Sequence, residues 1–331
     1  MRPLKPYIVG AVGGVLGMAL LPLSGLLPIS AAPGQATIVD WYFNMAAQQA
    51  ITLRSLGTSV PDIDEPGMVE RGAGHYEMVC ADCHGSPIMP PQQLARDLSP
   101  APPILADRMA QWHPPARVFW TVKHGIRRTA MPGWPSQMRD DEVWDMVAFL
   151  QQLPQMDAAT YADLTLSGPA NDCARCHGEN GDGRLEGVPR LDLQSPAYLE
   201  AALKAFRDGT RQSGTMIAAA RRLTDAEIAD LAQRYGKEIE MAPSAEDKGA
   251  NIARSGIPER DVPACDSCHG AAARSDYPRL TGQDADYLRS QLELFATLGA
   301  DRGGHNAHIM GEVVRGLTPE DMDALAAWYG R

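Results

Sequence analysis

Aromatic side chains are scarce in this sequence. Phe, Trp and Tyr together make up 6% of the 331 residues, whereas glycine (31 residues) and proline (26 residues) are common. A chain of this length suggests about two or three domains, and small domains rich in loops bury only a modest fraction of their surface. Something other than aromatic side chains must therefore fill the centre of each domain.

Positive charge is also in short supply. The chain has 30 lysines and arginines against 41 aspartates and glutamates, which gives a formal net charge of −11. A surface that binds nucleic acid needs clustered lysine and arginine side chains. The charge balance therefore excludes nucleic acid as a partner.

Two further patterns are missing. The sequence has no long alternation of polar and apolar residues, which is the pattern of a half-buried strand. It also has no glycine-rich dinucleotide-binding fingerprint, and no set of residues reads as a catalytic constellation. We therefore expect an all-α fold, and we predict no catalytic residue.

Cysteine is absent outside three copies of one motif. All six cysteines lie in the pattern Cys-x-x-Cys-His-Gly, which begins at Cys80 (CADCHG), Cys173 (CARCHG) and Cys265 (CDSCHG). These first cysteines are spaced by 93 and 92 residues. Self-similarity at a fixed period indicates repeated units, and at this length each unit is a small domain.

The motif Cys-x-x-Cys-His is the attachment signature of c-type haem. Its two thiols each add across a vinyl group of haem, and the adjacent histidine reaches the iron. A thioredoxin-like pair would require a βαβ context, and a structural zinc site needs four ligands, one more than each motif offers. The motifs therefore predict three covalently bound haem c groups. The attaching cysteines and the ligating histidines are Cys80, Cys83, His84, Cys173, Cys176, His177, Cys265, Cys268 and His269.

Each haem iron has room for a sixth ligand, and methionine opposite histidine raises the reduction potential. The best-placed candidates are Met131, Met216 and Met310, which follow the motif histidines by 47, 39 and 41 residues. Core packing is the usual role of a methionine. The rival ligands are histidines, namely His124 in the first repeat and His305 or His308 in the third.

Each repeat ends in a helical pattern with apolar residues at positions i, i+3, i+4 and i+7. The three apolar stripes are Val143–Leu150, Ile228–Tyr235 and Met322–Tyr329. Thr224 with Glu227 reads as a capping box. Thr318 followed by Pro319 reads as an N-cap and a first-turn proline.

The N-terminus carries a long apolar run. Residues 7–29 have no charge and follow Arg2 and Lys5. This run exceeds the apolar region of a signal peptide, about 7–15 residues, and reaches the length of a membrane span, about 20 residues. We favour an uncleaved anchor; the alternative is a signal peptide cleaved near Ser30–Ala32. The positive-inside rule then places the chain after residue 32 outside the cytoplasmic membrane. The predicted division is 1–32 transmembrane anchor, 33–65 interfacial helix or linker, and haem domains at 66–156, 157–241 and 242–331.

These residues resemble the class I cytochrome c family. The first repeat, with AMPGW at 130–134 and DEVWDMVAFLQQLP at 141–154, resembles a membrane-anchored single-haem domain. Residues 158–331, with GIPERDVPACDSCHG, YPRLTGQDADYLRSQLELF and GLTPEDMDALAAWYG, are similar to the di-haem cytochromes c4. The resemblance implies that a proline carbonyl accepts a hydrogen bond from each haem-ligating histidine, which fixes the tautomer of the ring. The implied prolines are Pro103 for His84, Pro189 for His177 and Pro278 for His269.

The resemblance also implies a function in electron transfer. We expect a membrane-anchored tri-haem cytochrome c on the periplasmic face of a bacterial cytoplasmic membrane, which passes electrons to or within a terminal oxidase or a quinol-oxidising respiratory complex. The alternative is the electron-accepting subunit of a periplasmic dehydrogenase of the alcohol or gluconate type, although those subunits usually carry their anchor near the C-terminus. A di-haem peroxidase-like enzyme is disfavoured, because it needs an iron without a sixth ligand and each repeat has a methionine candidate.

Overall fold

The computed structural model describes residues 5–25, 38–109, 111, 113–165, 172–240, 248–270 and 274–330. Within these ranges the chain forms α-helices and short 3-10 or π turns, and its β-type contacts are isolated bridges outside any strand. The predicted all-α fold is confirmed for this part of the chain. Three helical domains follow an N-terminal segment, and each is built around one Cys-x-x-Cys-His motif.

The N-terminal segment contains helices α1 (Lys5–Leu20) and α2 (Ile38–Arg54). Among the described residues, no helix combines the length and the apolar character needed to cross a bilayer. The predicted run at 7–29 coincides with α1 and a 3-10 turn (Leu21–Ser24), and its last residues lie outside the described ranges. Helix α2 buries Ile51 and packs against the first domain.

The first domain, called domain 1, is built around a crossing of its first and last helices. Its helices are α3 (Met68–His75), α4 (Ala81–His84), α5 (Gln93–Arg96), α6 (Leu105–Met109), α7 (Pro115–His124) and α8 (Asp140–Gln152). The apolar stripe of α8 is buried as its spacing predicts. A Cβ atom on Gly72 would lie 2.3 Å from the Asp145 carbonyl oxygen, so only glycine lets α3 and α8 approach this closely.

Helix α9 (Ala158–Thr165) continues the core of domain 1. Tyr161 is fully buried against Tyr76 and Phe149, and its hydroxyl donates a 2.5 Å hydrogen bond to a Glu77 carboxylate oxygen. The sequence division assigned these residues to the second domain. In the structure they pack on the first domain. The boundary at 156/157 stays a prediction.

The second and third domains, called domains 2 and 3, repeat one arrangement. Domain 2 contains α10 (Asp172–His177), α11 (Pro196–Arg207), α12 (Gly214–Ala220) and α13 (Asp225–Tyr235). Domain 3 contains α14 (Lys248–Ser255), α15 (Asp266–His269), α16 (Ala285–Leu298), α17 (Ala307–Val313) and α18 (Pro319–Tyr329). The predicted capping box of Thr224 and Glu227 begins α13, and the predicted N-cap Thr318 with Pro319 begins α18; both are confirmed. Gly249 of α14 meets α18 as Gly72 meets α8, since its Cβ would lie 2.1 Å from the Ala324 carbonyl oxygen.

Candidate haem sites

The three motif histidines are held in the same way. The Nδ1 atoms of His84, His177 and His269 each lie 2.8 Å from a proline carbonyl oxygen. The acceptors are Pro103, Pro189 and Pro278, the prolines that the family resemblance implies. Because a carbonyl oxygen only accepts, Nδ1 must carry the proton and donate it. The other ring nitrogen, Nε2, is therefore left without a proton and is free to bind a metal ion.

Burial favours the same neutral form of these rings. It lowers the pKa of His84, His177 and His269, and outweighs the hydrogen bonds to the proline carbonyls, which act in the opposite direction. A buried imidazolium would have to give up its hydration, which is costly in an apolar site. The three rings are accordingly kept neutral, as iron ligation requires.

A tight turn follows the first motif. Gly85 has a φ angle of 70°, and a Cβ atom there would lie 2.8 Å from the Pro91 ring, so both the backbone and the space require glycine. The Tyr76 hydroxyl donates a 2.6 Å hydrogen bond to the Gly85 carbonyl oxygen. These contacts fix the end of α4, which carries His84.

Each of the three candidate methionines precedes the helix that carries the final apolar stripe of its domain. Met216 lies on α12 and Met310 on α17, whereas Met131 lies in the loop between α7 and α8. The rival histidines differ from them in exposure, because His124, His305 and His308 are all exposed whereas the three methionines are half-buried. His124 stands at the end of α7 with its ring 4.8 Å from the Trp120 ring.

A single cavity joins the second and third motifs. Its volume is about 1100 Å³, above the range of about 300–1,000 Å³ that is usual for one small-molecule site. It is lined by both motif histidines, by the four motif cysteines of domains 2 and 3, and by Met216 and Met310. His305 also lines it, but His308 does not. The cavity therefore has the residues and the size for more than one large planar cofactor.

Two buried arginines provide an independent test of that fit. Arg211 and Arg302 line the cavity and are 7% and 6% exposed. Neither forms an ion pair with any residue that the structure describes, and the Nε atoms of both lack a hydrogen-bond partner there. Burial, together with the charge of Arg211, lowers the pKa of Arg302 to about 9. Buried positive charges need anionic partners, and the propionate carboxylates of haem are anions of the required kind. The residues of this cavity thus fit haem.

Domain 1 reaches the methionine segment of domain 2 through Glu142. This carboxylate is 9% exposed and accepts hydrogen bonds from the Ser213 hydroxyl (2.5 Å) and from the backbone N–H groups of Gly214 (2.6 Å) and Thr215 (3.3 Å). The Ser213 hydroxyl in turn accepts a 3.1 Å hydrogen bond from the Met216 N–H. One hydroxyl group therefore links Glu142 to the backbone of the candidate ligand.

Further contacts hold domain 1 against domain 2. The Arg139 guanidinium pairs with Glu142 at 3.0 Å and donates a 3.1 Å hydrogen bond to the Gln212 carbonyl oxygen. At a second point, the Arg71 guanidinium donates a 2.9 Å hydrogen bond to the Glu186 carbonyl oxygen. These residues carry no signal in the sequence, because a charged residue at a helix start usually faces solvent.

Comparisons with known proteins match separate parts of the chain. The family described as "Cytochrome C oxidase, cbb3-type, subunit III" matches residues 67–150, and the family "Cytochrome c" matches residues 168–233 and 259–329. The cytochrome c4 of Thiocapsa roseopersicina is 34% identical over 165 residues, which are 47% of this chain and 84% of that protein. A thiosulfate dehydrogenase electron acceptor of Stutzerimonas stutzeri is 31% identical, over 55% of this chain and 91% of that protein. Its counterpart in Thiomonas intermedia is 33% identical, over 55% of this chain and 93% of that protein.

The fold, the motifs and these relatives define a c-type cytochrome, and the chain belongs to the class I cytochrome c family. More particularly, it is a periplasmic multi-haem electron carrier that binds three haem c groups, and its C-terminal part is a c4-like di-haem unit related to cytochrome c4 and to thiosulfate dehydrogenase electron acceptors. The expectation of an electron-transfer protein is confirmed by these relatives.

Proposed function

We propose that this protein accepts electrons one at a time at its c4-like unit and passes them through domain 1 to a terminal oxidase or another respiratory complex. The observation that carries the proposal is the hydrogen bond from Nδ1 to a proline carbonyl, which is repeated at 2.8 Å in all three domains. Each of the three rings would provide one iron ligand to a haem. In this assignment the paired cysteines of each motif hold the haem covalently, and the proline carbonyls fix the ring orientation.

Met131, Met216 and Met310 supply the sixth ligands in this proposal. Their half-buried positions, and the place of Met216 and Met310 in the shared cavity, favour them over the exposed histidines. With histidine and methionine on each iron, bound haem supplies one-electron redox chemistry at high potential. The protein's own contribution is to hold the ligands, exclude water and set the potential.

The comparisons support one class of electron donor and one class of electron acceptor. The thiosulfate dehydrogenase electron acceptors are similar to 55% of this chain. This favours a periplasmic dehydrogenase, for example of the thiosulfate type, as the donor. Domain 1 matches the family of a cbb3-type oxidase subunit, which favours an oxidase as the acceptor. The proposal thus joins two partners that the sequence offered as alternatives, a dehydrogenase and an oxidase, in one path.

We also propose that the N-terminal segment holds the protein at the cytoplasmic membrane. The apolar side chains of residues 12–20 in α1 are exposed, among them Val15 and Met18, and α2 exposes Trp41 and Tyr42. Exposed apolar side chains together with aromatic residues are typical of segments at a membrane interface. A chain that starts after residue 32 should then leave the membrane fraction, and its recovery in that fraction would contradict the anchor.

A redox titration tests the proposed ligands. The purified protein should show three one-electron transitions at high potential, together with the weak red absorption band of an Fe–S(Met) bond. Substitution Met216→Leu should remove about a third of that band, since one of three equivalent bonds contributes it, and should lower one potential. An unchanged band in this variant would exclude Met216 as a ligand.

Electron delivery tests the proposed direction. Thiosulfate together with a thiosulfate dehydrogenase should reduce the haems, and membranes that contain a cbb3-type oxidase should oxidise them again. Reduction without subsequent oxidation would restrict the protein to the role of a dehydrogenase acceptor. Oxidation without reduction by the dehydrogenase would leave only the oxidase side of the proposal.

A further inference from the structure

A short pattern occurs once in each domain of the c4-like unit. Residues 189–194 read PRLDLQ and residues 278–283 read PRLTGQ, so a glutamine stands five residues after each proline that accepts the histidine hydrogen bond. Both glutamines, Gln194 and Gln283, are almost completely buried, at 4% and 2% exposure. A buried amide side chain must find hydrogen-bond partners.

These glutamines find their partners in the opposite domain. The Gln194 side chain donates a 2.9 Å hydrogen bond to the Arg279 carbonyl oxygen and accepts one of 2.9 Å from the Arg279 N–H. Gln283 does the same to Arg190, donating at 2.9 Å and accepting at 2.6 Å. Each glutamine thus binds both polar backbone groups of the arginine in the opposite pattern.

The histidine and the glutamine meet at one peptide group. The Pro278 carbonyl and the Arg279 N–H are the two ends of a single planar peptide unit. Its carbonyl accepts from His269 of domain 3, and its N–H donates to Gln194 of domain 2. In the mirror arrangement, the peptide between Pro189 and Arg190 joins His177 to Gln283.

We propose that each glutamine sets the haem potential of the domain opposite its own: Gln194 acts on the haem of domain 3, and Gln283 acts on the haem of domain 2. Both are positioning residues that act through a peptide group and a histidine. This inference rests on the iron-ligand roles of His177 and His269 given under the proposed function.

Polarisation gives the sign of the effect. A peptide whose N–H donates a hydrogen bond has a more electron-rich carbonyl, and hydrogen bonds in a chain strengthen one another in a dry interior. This carbonyl oxygen is a stronger hydrogen-bond acceptor for the Nδ1 proton. The stronger hydrogen bond makes the imidazole a more electron-donating ligand. Such a ligand favours Fe(III) over Fe(II). Removal of the glutamine amide should therefore raise the potential of the haem in the opposite domain.

The hydrogen bonds of Gln194 and Gln283 differ in one respect. The Gln283 oxygen also accepts a 3.0 Å hydrogen bond from the Asp284 N–H, so its loss strands one more backbone donor. Unsatisfied buried donors are costly, and the Gln283 variant should therefore be the less stable of the two.

Domain 1 provides an internal reference, because Ile104, the residue after Pro103, is 47% exposed.

The test substitutes each glutamine by methionine, which has similar length but lacks the amide. A redox titration followed by NMR, with haem methyl resonances assigned through contacts to each domain, reports every haem separately. In Gln194→Met the Fe(III)/Fe(II) equilibrium of the domain 3 haem should shift about threefold towards Fe(II), or about 30 mV at 59 mV per tenfold change. The domain 2 haem should stay unchanged. Gln283→Met should show the converse.

Two further variants separate this role from general loosening of the fold. Gln194→Glu keeps the oxygen that accepts from Arg279, so the domain 3 potential should not rise. Gln151→Met removes a glutamine of domain 1 that donates a 3.0 Å hydrogen bond to the His113 carbonyl oxygen, and it should leave the potentials of domains 2 and 3 unchanged.

Several outcomes would overturn the inference. These are a shift of the haem potential in the variant's own domain, equal shifts in both domains, or no shift in either. Each counts against the inference when the wild-type protein shows a low-spin spectrum with histidine and methionine ligands. Absence of that spectrum from the wild-type protein itself would instead contradict the proposed function. The two failures are therefore distinguishable.

Discussion

Gly74 of domain 1 lies against Cys176 of the second motif: a Cβ atom on Gly74 would stand 3.0 Å from the Cys176 Sγ atom. The first domain thus touches the haem attachment point of its neighbour. A sulfur bound covalently to haem cannot move far to make room.

The substitution Gly74→Val should therefore force the two domains apart. Overpacking at a close contact typically costs about 1–3 kcal/mol, and we expect a loss of that size in the free energy of unfolding measured with urea. Gly14→Val is a suitable control, because a Cβ atom on Gly14 has no neighbour within 4 Å. Equal stability of the two variants would show that this contact is loose.

Glu142 is the second contact that can be tested directly. Substitution Glu142→Gln removes a charged acceptor from three groups of domain 2, and hydrogen bonds to charged groups contribute about 1.5–3 kcal/mol each. The segment before Met216 should loosen, and the Fe–S(Met) absorption band should weaken as the pH or temperature rises. Glu227→Gln is the matched control, since that glutamate caps α13 at the surface and has no link to Met216. Equal intensity of the Fe–S(Met) band in the two variants would show that Glu142 does not position this methionine.

The buried arginines should raise the potential of at least one haem in the c4-like unit. Arg302→Gln removes a buried positive charge. The removal favours Fe(III), so the potential should fall by about 60 mV, which corresponds to a tenfold shift in the Fe(III)/Fe(II) equilibrium. Arg315→Gln, a change at an exposed arginine of the same domain, should leave the potentials unchanged. Unchanged potentials in the Arg302 variant would contradict a role for its charge beside haem.

His75 should make domain 1 sensitive to acid. His75 is 3% exposed, its ring centroid lies 4.3 Å from that of Trp134, and burial lowers its pKa to about 4. The unfolded chain takes up this proton near pH 6.5. Between pH 6.5 and 4 the unfolded state therefore binds more protons, and stability falls as the pH falls. The stabilisation is complete above pH 6.5.

The size of this acid effect follows from the same shift. One pKa unit corresponds to about 1.4 kcal/mol, so the loss between pH 6.5 and 4 should be roughly 3 kcal/mol. Chemical denaturation of the wild type and of His75→Phe over this range measures it, because the variant lacks the titrating group. Parallel pH profiles for the two proteins would contradict the assignment to His75.

Much of the fold follows from sequence patterns that act locally. The apolar stripe that begins at Ile228 and the capping box at Thr224 define α13 without reference to the rest of the molecule. The motifs and their period define three domains in the same way. Contacts between domains depend instead on how these units pack. Glu142 has the sequence features of an ordinary acidic residue in a first helical turn, and only the structure shows which groups it binds.

The two glutamines and α9 also make contacts that local sequence patterns do not predict. Gln194 and Gln283 recur at equal distances from their prolines, and that regularity was a usable signal, but spacing alone does not reveal that each amide binds the other domain. Helix α9 begins just after the predicted domain boundary at 156/157. Its Tyr161 nevertheless completes the aromatic cluster of domain 1, because burial of a large ring outweighs the local composition.

The contacts of Arg71 with Glu186 and of Glu142 with Ser213 join domains that also share one polypeptide. Such a connection replaces a diffusional encounter by a high effective concentration. Electron exchange between domains 1 and 2 should then be independent of protein concentration and only weakly affected by ionic strength. Exchange with an external partner requires docking, and its rate should depend on added salt, since electrostatic steering of the acidic protein is screened. The salt dependence of the overall rate therefore indicates whether docking or internal transfer is limiting.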